Sequence, residues 1–140
     1  MSILITGAAW GLGSEVFHFL RHWTDPTKLI ATSRNAENAS RFESAGTTFR
    51  VVDYTKPETM QHAFQGVEKI FLVSTRTLSN EERVKEQNEA IDAAVAAGVK
   101  HVYYTSSATG GYDNQSKVYI QKDHLATEKH VKSGKQLSEI

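Results

Sequence analysis

Residues 6–13, Thr6-Gly-Ala-Ala-Trp-Gly-Leu-Gly13, follow the short apolar run Ile3 to Ile5 and precede a segment with helical spacing. A strand that turns through glycines into a helix is the start of a βαβ unit, so this stretch decides how the rest of the chain is read. Gly7 lets the chain turn sharply out of the strand. Gly11 or its neighbour lets backbone approach a pyrophosphate, and Gly13 lets the helix pack close to the strand. The helix N-terminus adds free N–H groups and partial positive charge.

Further β-branched or aromatic runs recur at Leu29 to Thr32, Thr48 to Val52, Lys69 to Val73 and Val102 to Thr105. They predict four more buried strands. Between them lie helical segments. The first carries Val16, Phe19, Leu20 and Trp23 on one predicted face and stops at Asp25 and Pro26. The second is expected over Ala36 to Ala45, closed by Gly46, and the third from Pro57 to Gly66. In the fourth, Ser79 or Asn80 caps the start, Glu81 and Glu82 occupy the first turn, and Val84, Asn88, Ile91 and Val95 form a stripe before Gly98. Asn88 is read as a half-buried, hydrogen-bonded amide. A fifth helix is expected from about Val118 to Lys132. Strict alternation implies an α/β, Rossmann-like doubly wound parallel sheet of about five strands, with helices on both faces and right-handed crossovers.

The chain has 140 residues, 16 basic and 16 acidic, and no cysteine. Balanced charge gives no field that would draw nucleic acid or an anionic membrane. The missing cysteines exclude disulfides and thiolate metal sites and suit a reducing, cytoplasmic compartment. No apolar stretch reaches the roughly 18 residues that span a bilayer. His18, His22, His62, His101 and His130 show no metal-ligand spacing, so no metal is expected.

The glycine spacing is G-x-x-x-G-x-G. Together with segments 66–74 (GVEKIFLVS), 96–107 (AAGVKHVYYTSS) and 124–129 (HLATEK), it resembles the atypical short-chain dehydrogenases/reductases of the NmrA-like family, including NAD(P)H:quinone oxidoreductase and azoreductase-like members. The resemblance runs to about residue 134. It implies an NAD(P)-binding domain over 1–134, followed by a polar tail at 135–140, where relatives continue into a substrate-covering lobe; the chain reads as a nucleotide-binding half cut short. Trp10 departs from that family's pattern, standing where a middle glycine is expected. Either Trp10 points away from the phosphates and the alternative spacing serves, or the indole and the displaced glycine block the approach.

In such a fold Gly7, Ala8, Trp10, Gly11, Leu12 and Gly13 surround the pyrophosphate. Where an NAD site carries an acid, the second strand ends in Ser33 and Arg34. A hydroxyl and a guanidinium suit a 2′-phosphate, which favours NADP over NAD; the alternative is a solvated strand-end arginine. The resemblance places Asp53 and Tyr54 beside the adenine, and Ser74, Thr75, Thr105 and Ser106 on the nicotinamide side. No Tyr-x-x-x-Lys pair is present: Tyr112 is followed by Ser116 and Tyr119 by Asp123, while Tyr119 and Lys122 read as a surface pair. His124 is the candidate proton donor or ribose ligand. The resemblance implies an NADPH-dependent reductase of a quinone or another small conjugated or imine substrate, or a non-catalytic NADP-sensing module. The last sheet edge is a potential contact for a protein partner or a second copy.

Overall fold

A computed structural model describes residues 1–107 and 119–133. Five strands, β1 (Ile3–Ile5), β2 (Leu29–Ser33), β3 (Thr48–Val51), β4 (Lys69–Leu72) and β5 (His101–Tyr104), form one all-parallel sheet in the order β3-β2-β1-β4-β5. Leu4 lies opposite Ile30 on one side and Ile70 on the other. Side chains alternate across the sheet, as period-two geometry requires. Leu4, Ile30, Ile70 and Leu72 enter one core; Ile5, Leu29 and Ala31 enter the other.

The first core packs against α3 (Pro57–Ala63), α4 (Asn80–Ala96) and α5 (Tyr119–Ser133), through Met60, Ala63, Ala90, Ile91 and Val131. The second packs against α1 (Gly11–Trp23) and α2 (Ala39–Glu43), through Phe17 and Phe42, whose rings meet edge to face at 5.0 Å. The sheet is therefore doubly wound, with helices on both faces. Its strand order reverses between β1 and β4, which opens a crevice at their carboxyl ends. None of the described helices is long and apolar enough to cross a membrane. Tyr112, Ser116 and the 135–140 tail lie outside the described residues.

Three local expectations are corrected. On α1 the inward face is Gly13, Val16, Phe17 and Leu20, whereas Phe19 and Trp23 face outward, 65% and 77% exposed. The face is turned by about one residue because Gly13 and Phe17 must sit against β1 for the glycine loop to close. The second helix is shorter than 36–45: Asn35 accepts the Glu37 N–H and starts a single 3-10 turn, Ala36–Asn38, before α2. On α4 the buried face is Arg83, Glu86, Gln87, Ala90, Ile91, Ala93 and Ala94, while Val84, Asn88 and Val95 are half-buried. Ser79 stands at the N-cap but makes no side-chain capping bond.

Candidate functional site

The glycine loop occupies the crevice between β1 and β4. Gly7 has φ +62° and Gly11 φ +55°, left-handed values that cost a residue with a side chain about 1–2 kcal/mol. Gly13 is required for a different reason. A Cβ there would lie 2.5 Å from the Gly7 carbonyl oxygen and 2.6 Å from that of Thr6, so only glycine lets α1 sit this close to β1. The loop is tied down on the protein side: Ala8 N–H donates to Thr32 O at 2.9 Å, Trp10 N–H to Gly7 O at 3.2 Å, and Arg41 Nη1 to Ala9 O at 3.3 Å.

Trp10, at the start of α1, has extended backbone (φ −146°) that any residue adopts. The left-handed step falls on Gly11, one position later. The indole is 75% exposed and is not packed into the loop. Trp10 provides no side-chain cap and the first turn of α1 holds no acid, so the N–H groups of Gly11, Leu12 and Gly13 have neither an intrahelical acceptor nor a carboxylate competitor. Leu12 is 53% exposed beside them. The cradle is made of backbone donors, which is what a pyrophosphate needs.

Next to the loop, β2 ends at Ser33 and Arg34. Ser33 is buried, and its oxygen accepts from Asn35 N–H (3.2 Å) and Asn38 Nδ2 (3.0 Å), which leaves its proton as a donor. Arg34 is exposed, with no hydrogen bond or ion pair to a described residue beyond its field at Asp53. Partial burial works to raise the Asp53 pKa. Hydrogen bonds from Thr55, with Lys56 and Arg34 nearby, outweigh it and hold the carboxyl below its usual range. The structure turns Tyr54 inward: its hydroxyl contacts Thr6 Oγ1 at 2.8 Å and Val73 O at 2.6 Å, and burial pushes its pKa up.

The carboxyl ends of β4 and β5 meet α4 and α5 through side chains. Ser74 N–H donates to Thr105 Oγ1 at 2.8 Å. Thr75 is buried; its N–H donates to Gln87 Oε1 at 3.2 Å and its hydroxyl to Glu86 Oε2 at 2.6 Å. Gln87 Nε2 donates to Thr127 Oγ1 at 2.8 Å, and Ser106 bonds Glu128. Tyr104, the last residue of β5, places its hydroxyl 2.6 Å from His124 Nδ1. Burial lowers the His124 pKa, and the nearby Arg83 charge lowers it further, against Asp123 and Glu128, so the imidazole is held toward its neutral form. Burial also pushes Tyr104 up to about 12.

Arg83 and Asp123 face each other at 3.6 Å, both nearly buried, and among the described residues neither Arg83 Nε nor Asp123 Oδ2 has a hydrogen bond. Asn88 Oδ1 is also buried without a partner among the described residues, contrary to the bonded amide expected there. Tyr119 is 68% exposed, with Lys122 Nζ 5.6 Å from its ring, an ordinary surface pair.

The structure thus brings Gly7, Ala8, Gly11, Leu12, Gly13, Ser33 and Arg34 to one side of the crevice and Ser74, Thr75, Thr105, Ser106 and His124 to the other. Arg83, Glu86, Gln87, Tyr104, Asp123 and Thr127 were not foreseen. For those on α4 the signal was Arg83-x-x-x-Gln87-x-x-Ala90-Ile91, an inward stripe whose first turns are polar and so invisible to hydrophobic periodicity. Two open depressions, of about 440 Å³ beside Phe19 and Trp23 and about 370 Å³ beside Arg50 and His62, lie away from the crevice.

Comparison with known proteins agrees with this geometry. The pattern of the NmrA-like family matches residues 1–134. An NmrA-like family domain-containing oxidoreductase, flvB, of Aspergillus flavus is 42% identical over 94% of the chain, which covers 44% of that protein. The structure of Citrobacter sp. triphenylmethane reductase complexed with NADP(H) superposes with a TM-score of 0.92 at 33% identity, covering 99% of this chain and 47% of that one. An NADPH-dependent quinone oxidoreductase of Escherichia coli, complexed with NADPH, gives 0.85 at 31% identity over 98% and 46%. The chain spans less than half the length of each of these relatives.

Proposed function

The chain belongs to the NmrA-like family, and from that premise we propose that it binds a nicotinamide dinucleotide, NADP(H) in preference to NAD(H), in an oxidoreductase that reduces a quinone or another small conjugated acceptor. The observation that carries the reading is the cradle itself. Gly13 has no room for a Cβ, and the N–H groups of Gly11 to Gly13 are unopposed by any acid in the turn. In this reading those N–H groups bind the pyrophosphate, while Arg34 and the Ser33 hydroxyl hold the 2′-phosphate. Relatives of this fold crystallised with NADP(H) and NADPH support the choice.

When bound, the nicotinamide supplies the hydride, and the protein's task is to place and orient it. Ser74, Thr105 and Ser106 offer polar contacts at the ends of β4 and β5. Tyr104, at the end of β5, is hydrogen-bonded to His124 on α5.

Calorimetric titration with NADPH and NADH tests this. NADPH is expected to bind more tightly, and Arg34→Ala to weaken NADPH about tenfold, the value of one charged hydrogen bond, while leaving NADH unchanged. Binding of neither cofactor sinks the reading, and an unchanged NADPH affinity in Arg34→Ala removes that residue from it. The absence of a Tyr-x-x-x-Lys pair at Tyr119 and Asp123 supports a second reading, a cofactor-sensing module without turnover. NADPH binding with no oxidation of it by any quinone would favour that one.

A further inference from the structure

The polar chain between β4, α4, β5 and α5 has a direction. Thr75 N–H, a fixed backbone donor, points at Gln87 Oε1 and so sets the amide with Nε2 as donor. Thr127 receives that donor, and its own proton goes to the Asp123 carbonyl at 3.0 Å. Among the described residues, the acceptor within hydrogen-bond reach of the Tyr104 proton is His124 Nδ1. It lies at 2.6 Å.

We propose that Tyr104 is a positioning residue that fixes His124 as the tautomer protonated at Nε2, so that His124 presents an N–H donor to an acceptor oxygen of the bound ligand. A neutral imidazole that accepts at one nitrogen must donate from the other. Nε2 makes no hydrogen bond to a described residue, and His124 as a whole is only 8% exposed, so the nitrogen stands unpartnered in a largely buried setting. The acceptor chemistry is a hydroxyl or carbonyl oxygen, from the cofactor ribose or from the substrate. Only this last part rests on the reductase reading.

The groups facing the imidazole are Arg83 from α4, Tyr104 from β5, and Asp123 and Glu128 on α5. Burial and Arg83 disfavour the imidazolium, which would offer N–H at both nitrogens and reverse the Tyr104 bond. The neutral form is the one that keeps the direction.

Nitrogen-15 NMR of histidine-labelled protein reads the tautomer directly. The wild type is expected to show His124 protonated at Nε2 alone at neutral pH. Tyr104→Phe is expected to lose that preference and show both tautomers in exchange, with the other five histidines unmoved as a check on folding. A wild type protonated at Nδ1, or a Tyr104→Phe spectrum identical to the wild type at His124, overturns the proposal. A shift of the Nε2 signal on adding NADPH alone identifies the ribose as acceptor, and a shift only when a quinone joins the NADP⁺ complex identifies the substrate. No shift with either overturns the donor role. Loss of the reductase reading appears separately, as failure of NADPH to bind, and leaves the tautomer result standing.

Discussion

Around Gly7, Gly11 and Gly13 the crevice is made of backbone, whereas around Gln87, Tyr104 and His124 it is made of side chains. The first wall is specified within eight consecutive residues, by two positive φ angles and one close approach. The second needs residues 75, 87, 104, 124 and 127, from three elements and the loop after β4, to arrive together. A backbone wall tolerates almost any side chain that points outward, Trp10 included, but no added atom on the inside. A side-chain wall tolerates small changes of shape but not of hydrogen-bonding or charge.

The contrast breaks most readily at Gly13. Gly13→Ala forces a Cβ against two backbone carbonyls at 2.5 and 2.6 Å, and is expected to cost about 3 kcal/mol or more and to abolish cofactor binding. Gly11→Ala, strained but unobstructed, is expected to cost only about 1 kcal/mol. Urea unfolding of the two variants compares them, and equal losses would show that close approach is not what the loop requires.

On the other wall, Asp123→Asn removes the countercharge of a nearly buried Arg83. Loss of one partner from a buried ion pair costs about 3–5 kcal/mol, but these two groups approach only to 3.6 Å, beyond hydrogen-bond distance, so about 2 kcal/mol is expected. A variant as stable as the wild type would mean that Arg83 is solvated after all.

A smaller effect concerns pH. The folded pKa of His124 lies below its ordinary 6.5, so the unfolded chain takes up the proton first. Its contribution to stability is whole above about 6.5 and is lost as pH falls through the folded value. His124→Gln is expected to flatten the decline of the unfolding midpoint in that window; an unchanged decline would show that His124 protonates freely in the fold. The smallest effect belongs to Trp10→Ala, which should change stability by less than about 0.5 kcal/mol because the indole packs on nothing in the loop. A larger loss would show the indole to be part of the cradle.

The sequence made the backbone wall legible because glycine has few other reasons to stand at the turn from a strand into a helix. The parallel sheet was legible for a similar reason: β-branched runs alternate with capped, glycine-closed helical segments. The second wall was not. Apolar periodicity pointed to Val84, Asn88, Ile91 and Val95, whereas the structure buries Arg83, Glu86 and Gln87 in the first half of α4. Buried polar residues follow a hydrogen-bond pattern set by partners far along the chain, and spacing within one helix does not contain it. The rotation of α1 was hidden too, because Phe17 and Phe19 are equally apolar and only the packing of Gly13 selects between them.

The proposed pyrophosphate ligands are the N–H groups of Gly11, Leu12 and Gly13. Amide proton–nitrogen spectra of the chain titrated with NADPH test this assignment most directly. Saturable shifts are expected at Gly7 to Gly13, with accompanying shifts at Ser33 and Arg34. Saturation with no movement of the Gly11 to Gly13 amides, or shifts confined to the depressions beside Trp23 or His62, would contradict it.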